Sequence, residues 1–412
     1  MSARPIEVQK IYEFVEEIAG EDMHAKRVLS LANAVTGLEH TAVLAVHTIG
    51  LGLAQVMNLD RNHTTKQVDR LLSNARLSVW DFFGRWVPYI IHGRQELVVA
   101  LDWTDFDADD HSTLCLYLVT ERSRATPLMW VTGLKSEMKG WQRAFEEDLL
   151  SKFRQVVPLE TKVTVLADRG FGDAALYEFL RAEGFQFVIR FRGTIVVESA
   201  EGSVGPAKGW TPGNGRALHL PGAGVTRSRY ELGSVVTVKR SGMKEAWHLA
   251  VSDNRSADEA IRLYSKRFTI EENFRDTKDP RYGWGLSATH VRNAERRDRL
   301  LLIAAIGHEY LTLLGQAGED IGLDRMLKVN TVKTRTHSLL TQGWSYFGMI
   351  PRMGDDRLKP LVERFIQLLA GEPALSLVAQ NEGIRQLPGR CQRSARLGRQ
   401  VEWAPAIASN SI

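Results

Sequence analysis

Between residues 96 and 192, apolar runs of strand length follow one another in an order that few folds accept. ELVVALDWTDF (96–106), STLCLYLVT (112–120) and TPLMWVTGL (126–134) each read as a strand, rich in Val, Leu and Thr, and the polar turn ERSRA separates the second from the third. Apolar residues at helical spacing then cover 138–156. A strand is expected over 161–168, a helix over 173–184 and a strand over 185–192. Three strands in a meander followed by helix–strand–helix–strand predict a mixed α/β layer.

That order is the order of an RNase H-like domain, in which the first and fourth strands are neighbours. Asp102 ends the apolar run ELVVALDW, and Asp168 ends KVTVLADRGF, which Gly170 closes. An Asp at the tip of a buried strand packs poorly and is often a turn former or a helix cap. Here the fold would bring two such tips together. Further along, YSKRFTIEENFRDTK carries Tyr264, Arg267, Glu271 and Lys278 at offsets of three, seven and fourteen residues. On one helix these four fall within an arc of roughly 60°. Such a face is commonly a solvated, salt-bridged surface. Beside two aspartates it also suits another task. Two strand-tip carboxylates and a helical Glu271 offer the oxygen ligands that Mg²⁺ prefers. Two ions about 3.5–4 Å apart assist in-line displacement at phosphorus.

The chain resembles the DDE transposases of bacterial insertion sequences that carry a Tyr-x2-Arg-x3-Glu-x6-Lys signature, and the likeness is closest to the transposase of the tenth bacterial transposon. Tyr264, Arg267, Glu271 and Lys278 match the signature without a gap, VALDWTD matches around Asp102, and LADRGF matches around Asp168. The signature's register selects Glu271 over the adjacent Glu272. The resemblance implies an RNase H-like catalytic core interrupted by a β-rich insertion, with Asp102, Asp168 and Glu271 as catalytic and metal-binding residues. It implies two Mg²⁺ ions, with Mn²⁺ an acceptable substitute, and a homodimer acting on double-stranded transposon ends and target DNA. The implied chemistry is nicking, hairpin formation, hairpin opening and strand joining. Arg267, Lys278 and Tyr264 would contact phosphates, and Trp247 in AWHLAVSDN would stack a flipped base. A metal-dependent nuclease without strand joining and a catalytically silent DNA-binding derivative are the alternatives.

The rest of the chain divides around this core. Residues 1–92 read as helical, with apolar periodicity over 5–19, 23–37, 41–56 and 77–92. Between the last two lies RNHTTKQVDRLLSNAR, where Thr64 or Thr65 would cap a short basic helix bearing Lys66 and Arg70. A helix, a turn and a basic helix suggest a unit that reads the terminal repeat. The core occupies 93–191 and 256–320, and 192–255 is Gly- and Val-rich, as expected of a β-rich insertion. Residues 293–316 form one amphipathic core helix, whose apolar LLLIAAIG run is too short to cross a bilayer. The helical region 321–412 would serve DNA contact, through Lys333 and Arg335, and dimerisation, and its end is basic (Arg385, Arg390, Arg393, Arg396, Arg399).

Bulk properties agree with this reading without deciding it. A net charge of +4 permits nucleic-acid binding. Cys115 and Cys391 match no zinc or redox spacing. No signal peptide or membrane span is read, so a cytoplasmic location is expected. Asp105, Asp107, Asp109 and Asp110 read as a solvated turn, and Arg169 would pair with the carboxylates or contact DNA.

Overall fold

The computed structural model describes residues 6–370, apart from 21–22, 121–124, 139 and 282. Five helices come first: α1 (Ile6–Ala19), α2 (Ala25–Thr41), α3 (Val46–Met57), α4 (Arg61–Leu72) and α5 (Val79–Ile91). The helices expected in this region are present. α2 and α3 meet backbone to backbone, since a Cβ on Gly37 would lie 2.2 Å from the carbonyl oxygen of Ile49. The basic helix α4 begins earlier than its threonines suggested. Asn58 turns the chain in the left-handed region (φ 50°), and the Asp60 carboxylate caps α4 by accepting from His63 N at 2.8 Å. Thr64 is buried and donates to the Gly50 carbonyl at 2.7 Å, so it ties α4 to α3 instead of capping it.

The strands β1 (Glu96–Phe106), β2 (His111–Leu118), β3 (Thr126–Leu134), β4 (Lys162–Ala167) and β5 (Gln186–Arg190) follow. α6 (Gln142–Val156) links β3 to β4, and α7 (Ala174–Ala182) links β4 to β5. Seven short strands come next: β6 (Val196–Glu198), β7 (Val204–Pro206), β8 (Leu218–Pro221), β9 (Gly224–Val225), β10 (Tyr230–Glu231), β11 (Ser234–Val238) and β12 (Trp247–Val251). The segment 192–255 is therefore β-rich, but it is shared between two sheets. The main sheet has the order β3-β2-β1-β4-β5-β12-β11-β8, and β10-β9-β6-β7 form a small second sheet. β5 presents an open edge, and β12 pairs along it from Leu249↔Arg190 to Val251↔Val188.

The described residues end in α8 (Ala257–Ser265), α9 (Thr269–Lys278), α10 (Ala294–Asp320), α11 (Leu339–Met349) and α12 (Asp355–Leu369). Side chains alternate across a strand, so the main sheet has two covered faces. On one, Phe187 stacks on Tyr177 of α7 at 5.0 Å, and Trp103 Nε1 donates to Glu146 of α6 at 3.0 Å. On the other, Trp130 Nε1 donates to the Asp298 carbonyl of α10 at 3.1 Å. α10 is longer than expected and is not amphipathic, because most of its residues are buried between sheet and helices. By length and composition it could cross a membrane; here most of it is packed inside the protein.

α10 also anchors its helical neighbours. Arg296 pairs with Asp69 of α4 at 2.7 Å, and Arg299 donates to the Leu72 and Leu77 carbonyls, each at 3.0 Å. Against α11 the approach is closer still: a Cβ on Gly343 would lie 1.8 Å from the Leu311 carbonyl oxygen. Gly343→Val is therefore expected to destabilise the protein by about 3 kcal/mol. Urea denaturation measures this, and an unchanged midpoint would refute the close approach. The basic residues from Arg385 to Arg399, and Cys391, lie outside the described residues.

Candidate active site

The parallel register of β1 and β4 runs from Glu96↔Lys162 to Leu101↔Ala167. The next residue on each strand is Asp102 and Asp168 respectively. Adjacent strands lie about 4.8 Å apart, and residues in register face the same way. The two carboxyl groups are thus neighbours on the face covered by α8–α10. Asp102 closes the apolar run but is not at the tip of its strand. β1 continues to Phe106 because β2 pairs with it as far as Phe106↔His111, and only the pairing with β4 stops short of Asp102. Asp168 does leave its strand. Its carboxylate accepts from Gly170 N at 2.7 Å, so it shapes the turn as well as facing the site.

The four signature residues do not lie on one uninterrupted α-helix. A 3₁₀ turn at Lys266–Phe268 separates α8 from α9. Two hydroxyls bond back to carbonyls there, Ser265 to Arg262 at 2.7 Å and Thr269 to Lys266 at 2.8 Å, a pattern that bends helices. Tyr264 and Arg267 are buried, whereas the Glu271 side chain is 59% exposed. Arg267 Nη1 donates to Asp102 Oδ2 at 3.2 Å, and Nη2 donates to Glu271 Oε1 at 3.1 Å. Lys278 reaches further along β1, donating to Thr104 Oγ1 at 3.0 Å and to the Asp105 carbonyl at 2.8 Å. The stripe therefore runs along the second half of β1.

The charges are strongly coupled. Burial pushes the Asp102 carboxyl up to about 6; Arg267 opposes this, while Asp168 and Glu271 add to it. Burial opposes the charge on Arg267, yet Tyr264, Asp102, Asp168 and Glu271 hold its pKa above the usual arginine value. Burial lowers the Lys278 ammonium despite Asp105 nearby. Because Asp102 binds its proton more tightly folded than unfolded, its ionisation costs stability, and the loss accrues as pH rises from about 4 to about 6. Asp102→Asn is expected to stabilise the metal-free protein by about 2 kcal/mol at pH 7 and by little at pH 4. Equal effects at both pH values in urea melts would contradict this electrostatic account.

Several neighbours escaped sequence reasoning. The last β4–β5 pair is Ala167↔Ile189, so Arg190 follows beside Asp168 on the same face. Arg190 Nη2 and Arg169 Nη1 both donate to Glu245 Oε2, at 2.7 and 2.9 Å. Arg169 thus pairs with Glu245. Trp247, the first residue of β12, packs edge-on against Tyr264 at 4.9 Å and stacks with the exposed Phe268 at 5.8 Å. A cation ending an apolar strand (FVIR) was the available signal for Arg190. Nothing local marked Glu245 as its partner.

Other sequence candidates sit elsewhere. Lys66 and Arg70 are exposed on α4, and Arg70 joins Arg27, His63 and Gln67 in lining a cleft of about 250 Å³. Lys333 is exposed, and Arg335 is held by Glu319 at 2.6 Å. Asp105, Asp107 and Asp110 are exposed, as expected of a solvated turn, with Lys135 bridging Asp105 and Asp107 at 2.6 and 2.7 Å; Asp109 departs from it and pairs with the buried Arg297.

Three carboxylates form an all-oxygen donor set that fits a hard divalent cation. Among the described residues, no three His, Cys, Asp or Glu side chains converge on one point. The guanidinium of Arg267 stands between Asp102 and Glu271. Residues 93–307 match the family described as Transposase DDE domain, a span just over half the chain that includes Asp102, Asp168 and Glu271. No curated protein matches the chain.

Proposed function

The chain belongs to the transposase DDE domain family, and from that premise we propose that it is a cut-and-paste DNA transposase with an RNase H-like core. It binds the terminal inverted repeats of an insertion sequence as a homodimer, excises the element through nicks and hairpins, and joins the 3′ ends to target DNA. The observation that carries this reading is the β1–β4 register, which sets Asp102 beside Asp168 while Arg267 links Asp102 to Glu271. The sheet order β3-β2-β1-β4-β5 supports the RNase H-like assignment.

Asp102, Asp168 and Glu271 would hold the divalent cations, Mg²⁺ with Mn²⁺ as a substitute. Bound there, such ions supply Lewis acidity and lower the pKa of an attacking water. Arg267 and Lys278 offer fixed positive charge to phosphoryl oxygens along β1. Arg169 and Arg190 add cations beside Asp168. Tyr264 supports the aromatic cluster in which Trp247 stacks the extruded base. A water first cleaves one strand, the freed 3′-hydroxyl attacks the opposite strand to close a hairpin, and a second water reopens it. Each step is an in-line displacement, so one constellation serves all three.

The test uses purified protein, a labelled duplex of the repeat flanking its gene, and Mg²⁺. A nick followed by a hairpin on a denaturing gel is expected. A nick that never becomes a hairpin favours a nuclease without strand joining. Repeat recognition is assigned to α4, with Lys333 and Arg335 as further contacts. Lys66→Ala and Arg70→Ala should each weaken end binding and reduce the salt slope by about 1. Unchanged slopes in fluorescence anisotropy would remove α4 from the interface.

A further inference from the structure

The guanidinium of Arg267 touches two of the three carboxylates at once, Asp102 Oδ2 at 3.2 Å and Glu271 Oε1 at 3.1 Å. Its side chain is only 8% exposed, and its Nε is buried without a hydrogen-bond partner among the described residues. Phe268 and Tyr264 flank it, with ring centroids 5.1 and 5.9 Å from the guanidinium carbon. A cation thus already lies between two of the carboxylates proposed to hold the divalent ion. Lys278, the other signature cation, is tied to Thr104 and the Asp105 carbonyl and takes no part in this bridge. A small divalent ion would bring a second positive centre to the same oxygens, and like charges so close repel. The contact with Asp102 is enclosed. The contact with Glu271 faces solvent, since that side chain is 59% exposed. An arriving phosphate would meet the guanidinium on that side, and guanidinium groups bind phosphate in a bidentate fork.

We propose that Arg267 is an internal counter-ion holding the metal's place in the DNA-free protein, and that a DNA phosphate draws it away and opens the three carboxylates to the divalent cation. This rests on the transposase reading of the same carboxylates. Metal loading is then coupled to DNA binding, and the unbound enzyme holds its metal weakly. The coupling is reciprocal: metal strengthens DNA binding by the same factor.

Calorimetric titration of Mn²⁺ into the full chain tests this. Without DNA, Arg267→Gln is expected to bind Mn²⁺ at least about tenfold more tightly than the wild type, a difference of about 1.4 kcal/mol. Arg267→Lys keeps the charge but cannot bridge both carboxylates, and a gain of about threefold or more is expected. A pre-cleaved repeat duplex, which presents no bond to cut, should tighten Mn²⁺ binding to the wild type about tenfold and to Arg267→Gln far less. Thermal melts establish that each variant is folded, and Arg267→Lys carries the test if Arg267→Gln is not. The proposal is overturned if neither variant binds Mn²⁺ more tightly, if only Arg267→Gln gains, or if DNA helps both proteins equally. Absence of Mn²⁺ binding in every protein, with and without DNA, would sink the metal-dependent reading as well. Normal metal-dependent cleavage with unmoved affinities sinks this inference alone.

Discussion

Asp102→Ala, Asp168→Ala and Glu271→Ala are each expected to abolish cleavage of the terminal repeat, with losses on the order of a thousandfold or more. Metal-assisted charge stabilisation supplies several kcal/mol at phosphorus, and each 1.36 kcal/mol is a factor of ten in rate. Repeat binding should persist in all three, because that task is assigned to α4 on the other side of α10. The three substitutions differ in their side effects. Glu271 is exposed, so its loss removes little packing. Asp102 partners a buried guanidinium, so its removal takes away one of the two carboxylate hydrogen bonds to Arg267. Single-turnover gel assays with matched binding curves separate these effects. Cleavage retained by any one variant would refute that residue's role. Chelation of the divalent cation should reproduce the triple loss in the unmodified protein.

Trp247→Ala is expected to slow hairpin formation by about 10- to 100-fold while slowing the first nick much less. Closing a hairpin requires a base to leave the stack, and an aromatic platform returns roughly 1–3 kcal/mol per stacked base. Trp247 is half-buried against Tyr264 and Phe268, so its ring is already packed in place. Trp247→Phe should restore much of the rate, since a ring remains to stack. Equal slowing of nick and hairpin would show that the tryptophan only supports Tyr264 and the turn beside Arg267.

Much of this arrangement was legible in the sequence, for identifiable reasons. Strand period and turn chemistry placed β1 at 96–106 and β3 at 126–134 with the observed limits. Both are long and bounded by polar residues. The order of elements sufficed to make β1 and β4 neighbours, and so to pair Asp102 with Asp168. What the sequence obscured depends on contacts distant along the chain. The true cap of α4 is Asp60, because Thr64 is claimed by a carbonyl on α3. The strands within 192–255 divide between two sheets, because β5 leaves an edge that only the folded core defines. Periodicity measured angle along one helix and missed the 3₁₀ turn at Lys266–Phe268. It therefore grouped four signature residues whose environments differ, with Tyr264 and Arg267 inside and Glu271 in solvent. Glu245 had no local mark, as its role exists only through Arg169 and Arg190.

The rivets from Arg296 and Arg299 to the end of α4 have a consequence for substrate geometry. If α4 reads the repeat and Asp102, Asp168 and Glu271 cut, as proposed, α10 acts as a caliper whose jaws are the basic helix and the acidic end of β1 and β4. On that proposal, the number of base pairs between recognised sequence and broken bond would be set by the protein's own dimensions. A repeat lengthened by a few base pairs in its middle would still be gripped, but it would be cut inside the element rather than at its boundary.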